Sequence, residues 1–407
     1  MLIKRITDRT IVKLIVWLIV LKSIFDLDWR WPFFYVGSVA MPFHRIVAFI
    51  VPVLLSFILF IRLASKKNIK VNNNIFAFLV LISISVTFIS HAGLSTLNEF
   101  LRTYNFFIIF ISAPYLVKSE EEFDKIIKLL LIFSLVPTFF SYLQVFKIIK
   151  FSYFDVIPYL GWIGRTTGGY HHPAGYLNFI LIVIPGIIYL LLNGKISKII
   201  FWAWVLYTLP MVIRTFHRAT IILIILNTFI VIFFLRRRWI KYIIGIIFFI
   251  IIISSFKYIW MIIDQGGSIT KGHFRGRGWI WEMYSSYFKQ QSMVDRIVGL
   301  GNSDLPNGWN DPHSDWLRIL FEYGYMGLSL YVAFLSSVFL VLLRKFLRLR
   351  VDILAGSKEL FGLILVLTII LYSVTMEPLR FSSFSWGCAI ILGYIYKTEI
   401  KPVLIKV

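Results

Sequence analysis

The chain has 407 residues, of which 59% are hydrophobic and only 15% carry a charged side chain. Soluble domains have about half apolar and about a quarter charged residues, so this composition excludes an ordinary soluble enzyme. Apolar runs of roughly 20 residues recur along the chain, and each is long enough to cross a bilayer as a helix. The composition therefore predicts an all-α, polytopic integral membrane protein.

The formal net charge of +22 is divided among short loops between the apolar runs. Positive loops in a membrane protein set its orientation and contact anionic membrane lipids, so no nucleic acid partner is predicted. The chain has one cysteine, Cys388, and therefore no internal disulfide. No cleavage site for a signal peptide follows the first apolar run, which we interpret as a retained span.

The apolar runs predict about twelve transmembrane helices in a single membrane domain, residues 1–407. The predicted spans lie near residues 11–27, 44–62, 74–92, 99–117, 124–146, 174–193, 197–213, 217–235, 240–263, 315–343, 359–376 and 382–396. Lysine and arginine concentrate at the N-terminus and in alternate loops, so that face and both termini are predicted to be cytoplasmic. The large loop of residues 264–314, between the ninth and tenth spans, is then extracytoplasmic.

His313 is a candidate base at the end of this loop. In the sequence NDPH, Asp311 suits an N-cap and Pro312 the first helical position, which puts His313 in the first turn of the tenth span. The positive end of the helix dipole disfavours imidazolium, so the ring would stay neutral and able to accept a proton. The alternative is an interfacial histidine that is hydrogen-bonded to the loop.

Four arginines occur where the chain meets the extracytoplasmic surface. Arg275 and Arg277, in FRGRGWIW, suit a phosphate clamp or contacts with lipid headgroups. Trp281 in the same run suits sugar stacking or an interfacial belt. Arg214 and Arg218 lie in a very short connection between two apolar runs, where charges usually face a functional cavity. The alternative is that they snorkel to the interface.

The segment RTTGGYHHP, before the sixth span, is a further candidate binding loop. Arg165 suits phosphate, and Tyr170 and His172 suit stacking on a sugar. No acidic or cysteine residue lies at ligand spacing from the paired histidines, so no metal site is predicted. Within the tenth span, Glu322 needs a partner at membrane depth, and Arg318 lies one turn earlier.

Four segments together resemble the superfamily of bacterial O-antigen ligases and O-antigen polymerases. They are RTTGGYHHPAGYLNF, FHRATIIL, GRGWIW followed by VGLGNS, and DPHSDWLRILFEYGYMGL. Their order and their shared extracytoplasmic location carry the resemblance, since each pattern is short. His217 stands where the family usually has serine, and Ser314 stands where it commonly has asparagine.

The resemblance implies a GT-C-like fold and a metal-independent, inverting glycosyltransferase in the bacterial cytoplasmic (inner) membrane that needs no cofactor. The donor would be an oligosaccharide on undecaprenyl diphosphate, held in a cavity open to lipid. By analogy Arg218 and Arg277, with Arg275, would bind the diphosphate, and His313 would orient or deprotonate the acceptor hydroxyl. Weaker candidates for contacts with the donor or its sugar are Arg165, Tyr170, His172, Trp281 and Arg214.

The family includes polymerases, which join lipid-linked repeat units into O-antigen or capsule, and ligases, which transfer the finished glycan to lipid A-core. We expect a polymerase, with the ligase as the alternative; a chain-length regulator is a further candidate partner. Transfer of oligosaccharide to protein is a rarer activity of the family. A secondary transporter is the competing hypothesis from another class, since about twelve spans also suit carriers.

Overall fold

The computed structural model describes residues 2–27, 32–36, 39–64, 71–91, 93–149, 166–170, 172–215, 217–234, 277–306, 308, 312–349, 357–374 and 376–397. These residues are predominantly helical, as the composition predicts. Within them, four helices are long and apolar enough to cross a membrane: His44–Ile61, Glu120–Val145, Pro173–Leu192 and Asp315–Arg348. Ile75–Ser90 and Ala219–Ile230 are shorter apolar helices. The architecture is that of a helical membrane protein.

The helices follow the predicted spans closely. In chain order they are α1 (Leu2–Phe25), α2 (Phe43–Ala64), α3 (Ile75–Ser90), α4 (Leu94–Leu116), α5 (Glu120–Val145), α6 (Pro173–Leu192), α7 (Lys198–Arg214), α8 (Arg218–Phe234), α9 (Arg277–Lys289), α10 (Met293–Val298), α11 (Asp315–Arg348), α12 (Ser357–Tyr372) and α13 (Ser382–Lys397). A single turn of 3-10 helix, Pro378–Arg380, precedes α13. The predicted span at residues 240–263 lies outside the described residues.

A short β-hairpin interrupts the helical pattern between α1 and α2. Strand β1 (Pro32–Val36) pairs antiparallel with β2 (Val39–Pro42), and Tyr35 lies opposite Ala40. The all-α prediction missed this hairpin. Its first strand has the sequence PFFYV, and aromatic and β-branched residues favour a strand.

Several helices begin at side chains that cap them. The Ser119 hydroxyl accepts a hydrogen bond from the N–H of Glu122 (3.2 Å), and the Glu122 carboxylate accepts one from the N–H of Lys118 (2.8 Å). This arrangement is close to a capping box at the start of α5. Asn74 and Ser197 cap α3 and α7 in the same way. Local sequence therefore fixes where these helices start.

Helix α13 is the centre of the fold, with α1, α4, α6 and α12 packed around it. Every residue from Ser383 to Ile395 is buried. Gly393 permits a close approach to α4, because a Cβ atom there would lie 2.3 Å from the Phe110 carbonyl oxygen. Small residues at such crossings are typical of helix pairs in membranes. Asn72 joins the two backbones by donating to the carbonyls of Phe110 (2.7 Å) and Gly393 (2.9 Å).

Candidate functional site

His313 lies immediately before α11, in a left-handed backbone conformation with φ of 52°. The prediction that it occupies the first helical turn is wrong, because α11 begins at Asp315 with Ser314 as its N-cap. Long-range bonds set this start: the N–H of Asp315 donates to the carbonyls of Ser373 (3.0 Å) and Met376 (3.1 Å), and the Ser314 hydroxyl donates to that of Ser373 (3.0 Å). His313 therefore lies outside the terminal helical turn, to which the effect of the helix dipole is confined.

Helix α9 is tied to the residue that precedes His313. The indole N–H of Trp281 donates to the Pro312 carbonyl over 3.1 Å. Arg277 is the first residue of α9, one turn before Trp281. The side chain of Arg277 and the whole of Arg275 lie outside the described residues. The structure thus brings the helix that starts at Arg277 to the backbone beside His313.

Glycines in the loop and in α11 allow the two backbones to pack closely. At Gly324 the helix is broken by a backbone with φ of 65° and ψ of −169°, which only glycine adopts readily. A Cβ atom there would lie 2.3 Å from the Ile297 carbonyl oxygen, and one at Gly299 would lie 2.3 Å from that of Glu322. The Glu322 carbonyl accepts the N–H of Gly301 (3.0 Å). The loop therefore docks on backbone groups that the break in α11 leaves available.

A buried ionic group lies in the first turns of α11. Arg318 is fully buried, and its guanidinium donates to Asp315 (Nε–Oδ1, 3.0 Å) and to Glu322 (Nη1–Oε2, 2.8 Å). The predicted pairing of Glu322 with Arg318 is confirmed. The second carboxylate oxygen of Asp315 accepts the N–H of Leu379 (2.9 Å). The start of α11 is thereby bound to the turn that precedes α13.

This ionic group extends to α4. Glu99 pairs with Arg102, and it also lies 3.9 Å from Nη2 of Arg380. Arg380 in turn pairs with Glu377 at 2.9 Å. Glu99 and Arg318 are 4.0 Å apart. Charged side chains from α4, α11 and the 377–380 turn therefore form one network.

Two histidines meet where α6 and α8 begin. The Nδ1 atom of His172 accepts the N–H of Ala174 (3.0 Å) and so caps α6, which leaves the proton of a neutral ring on Nε2. The His172 and His217 rings are perpendicular, with centroids 6.2 Å apart. His217 Nδ1 is 2.9 Å from the Thr220 hydroxyl, which lies 2.9 Å from the Tyr372 hydroxyl.

This chain of hydrogen bonds connects the start of α8 with the start of α11. Tyr372 is the last residue of α12, and the carbonyl of the next residue, Ser373, holds the start of α11. Arg218 is the first residue of α8, directly after His217, and its side chain lies outside the described residues. The starts of α8 and α11, which are distant in sequence, thus meet at the end of α12.

The remaining predicted binding residues are Tyr170, Arg214 and Arg165. Tyr170 is buried and donates from its hydroxyl to the Ser23 carbonyl (2.7 Å), so its ring packs inside the protein. Burial, reinforced by the nearby carboxylate of Asp26, raises the pKa of the Tyr170 phenol well above its ordinary value, which keeps it a donor. Arg214 ends α7, where its carbonyl accepts the N–H of Thr166 (3.4 Å). Arg165 lies outside the described residues.

A polar cluster that was not predicted from the sequence lies at the end of α1. Lys22, which is buried, pairs with Asp26, and the hydroxyl of Ser382 donates to Asp26 over 2.6 Å. The Lys22 ammonium also lies 5.5 Å from the centre of the Trp386 ring. The opposite charges four residues apart in the first apolar run were the available signal.

An apolar groove lies between α6, α7 and α8. It is lined almost entirely by apolar side chains, among them Ile184, Phe201, Trp204, Val212 and Ile224. Its lining reaches Val212 on α7, just before Arg214, but does not include His313. Among the residues that the structure describes, no three histidine, cysteine, aspartate or glutamate side chains are grouped as metal ligands.

Comparison with known proteins adds no assignment. No protein-family model matches the chain, and no curated protein matches it in sequence. The function is therefore argued from the residues and their arrangement alone.

Proposed function

We propose that the chain is an extracytoplasmic membrane glycosyltransferase whose donor is an oligosaccharide on undecaprenyl diphosphate. One observation carries the proposal: the segments that start α6, α8 and α11 meet at the end of α12. These segments hold three of the four stretches that resemble the O-antigen ligase and polymerase superfamily. A shared active site requires such stretches to converge.

The residue chemistry fits a diphosphate leaving group. Guanidinium groups bind phosphate in a bidentate manner, and fixed positive charge is most useful where a departing diphosphate develops negative charge. We assign this role to Arg218 and Arg277, assisted by Arg275. His313 orients or deprotonates the acceptor hydroxyl, so the transfer is metal-independent and inverting.

The scaffold we propose is a GT-C-like bundle of about twelve spans in the bacterial inner membrane, with both termini in the cytoplasm. The loop of residues 264–314 then lies on the extracytoplasmic face. The apolar groove between α6, α7 and α8 suits an isoprenoid chain, since its lining is apolar. Arg214, Arg165 and His172 are candidates for further donor contacts.

The activity we favour is the polymerisation of O-antigen or capsule repeat units, in which a second lipid-linked glycan is the acceptor. The alternative within the family is ligation to lipid A-core. A chain-length regulator is a partner to test only for the polymerase.

A secondary transporter is the second candidate, and the buried ionic network favours it. Ionisable groups at membrane depth often mark an ion pathway, and Asp315, Arg318 and Glu322 are fully buried. Flux into proteoliposomes that is driven by an ion gradient and is unchanged in His313→Ala would support the transporter over the transferase.

The direct test is complementation of a deletion strain with the wild-type protein or with His313→Ala at equal membrane abundance. We expect the variant to leave the surface glycan unrestored, as seen on a gel. A single repeat unit on the core then indicates a polymerase, and bare core with long lipid-linked chains indicates a ligase. A full ladder from His313→Ala would exclude His313 as the base.

A further inference from the structure

Helix α10 turns its apolar side chains outward. Met293, Val294 and Ile297 have exposed fractions of 70%, 68% and 42%. Asp295 on the same helix is less exposed (32%), and its carboxylate lies 4.0 Å from Nε2 of His91. A helix that faces water shows the reverse order, with polar residues outside and apolar residues inside.

The neighbouring helix α9 shows this ordinary order, which makes α10 the exception. Ile280, Tyr284 and Phe288 of α9 are buried against Phe321. The apolar side of α9 therefore packs on the protein. Apart from Trp279, which is 60% exposed, the exposed positions of α9 are polar and include Glu282, Ser286 and Lys289.

The depth of α10 follows from its contact with α3. The Val298 carbonyl accepts a hydrogen bond from the Thr87 hydroxyl (2.6 Å), one turn before α3 ends. Helix α3 has 16 residues. At about 1.5 Å per residue it is about 24 Å long, shorter than the hydrocarbon core of about 30 Å. A helix shorter than the core ends within it, so the level of Thr87 lies in the hydrocarbon near its edge, where α3 itself exposes Val86 and Ile89.

We propose that Met293, Val294 and Ile297 contact the acyl chains at the edge of the membrane leaflet in which α3 ends. Helix α10 is then the lipid anchor of the segment that leads to His313. Exposed apolar residues at this depth continue the apolar surface of α3, and a lipid leaflet is the partner that matches them. The inference stands independently of the reaction proposed above.

Site-directed spin labelling tests the proposal. Cys388 is buried and is the only cysteine, so a Cys388→Ala background accepts one label at a time. The labelled variants are Val294→Cys on α10 and, as the matched control, Ser286→Cys on the exposed side of α9. Both proteins are reconstituted into vesicles of phosphatidylethanolamine and phosphatidylglycerol. Collisions with oxygen, which partitions into lipid, are compared with collisions with a water-soluble nickel chelate.

We expect the label at 294 to collide several-fold more with oxygen than with nickel, and the label at 286 to show the opposite preference. Equal nickel collisions at the two positions would place α10 in water and overturn the proposal. Protection of position 294 from both reagents would also overturn it, because protein would then cover this face. Met293→Cys is a second site on the same face, for use if Val294→Cys does not fold.

Discussion

The most informative perturbation is the removal of the guanidinium from the buried network, in Arg318→Met. Arg318 is fully buried and lies within 3.0 Å of two carboxylates, those of Asp315 and Glu322. Methionine fills much of the same space without charge or hydrogen bonds. The variant therefore leaves two buried carboxylates without their cation, although Asp315 keeps the N–H of Leu379.

Loss of one partner of a buried ion pair costs about 3–5 kcal/mol, because the other charge stays buried and uncompensated. With two carboxylates affected, we expect Arg318→Met to lower the free energy of unfolding by about 5 kcal/mol, the upper end of that range. Adding Glu322→Gln neutralises one of the stranded groups. Coupling between contacting residues is about 0.5–3 kcal/mol, so the double variant should recover that amount.

The assay is unfolding of the purified protein in mild detergent by added dodecyl sulfate, followed by tryptophan fluorescence. Arg102→Met is the matched control, since Arg102 pairs with Glu99 while about a third exposed (32%). We expect it to cost less than about 3 kcal/mol, because Glu99 keeps Arg318 and Arg380 within 4.0 Å. Equal losses for Arg318→Met and Arg102→Met, or no recovery on adding Glu322→Gln, would refute the argument.

Three further variants test other parts of the structure. Gly324→Ala should lower the free energy of unfolding by more than about 3 kcal/mol, because it adds backbone strain and a clash with the backbone. Gly194 has the same φ but open space around it, so Gly194→Ala should cost only about 1–2 kcal/mol. Equal costs would contradict the close packing of the loop on α11. Tyr372→Phe removes the hydrogen bond to Thr220, which contributes about 0.5–1.5 kcal/mol. At unchanged abundance it should slow glycan transfer in isolated membranes by up to about tenfold. Full activity would show that this hydrogen bond does not position the site. His172→Asn removes the imidazole but keeps a good N-cap, so glycan transfer should fall while thermal stability is kept. If transfer and thermal stability fall together, the histidine is only structural.

Local sequence was sufficient for most helices. The apolar run at residues 44–62 corresponds to α2, Phe43–Ala64, because a long apolar segment in lipid must satisfy its backbone by forming a helix. The pairing of Arg318 with Glu322 was also accessible, since residues four apart share one face of a helix. The contacts of this pair with Glu99 and the 377–380 turn depend on how α4 and α11 pack, which no local pattern shows.

The start of α11 shows where sequence reasoning failed. The NDPH sequence predicts a helix that starts at Pro312, yet the helix begins three residues later, at Asp315. The carbonyls of Ser373 and Met376, distant in sequence, bind the N–H of Asp315 and decide the position. Arg218 was predicted near the start of the span at residues 217–235, and α8 begins at this residue.

The central position of α13 has a consequence for biogenesis. Ribosomes release this helix after α1, α4, α6 and α12, yet it fills the space that all four surround. Until it inserts, the surface of α4 that receives Gly393 has lipid or a chaperone as its neighbour. The earlier helices must therefore stay loosely associated in the membrane during translation, and this part of the bundle closes only when α13 enters between them.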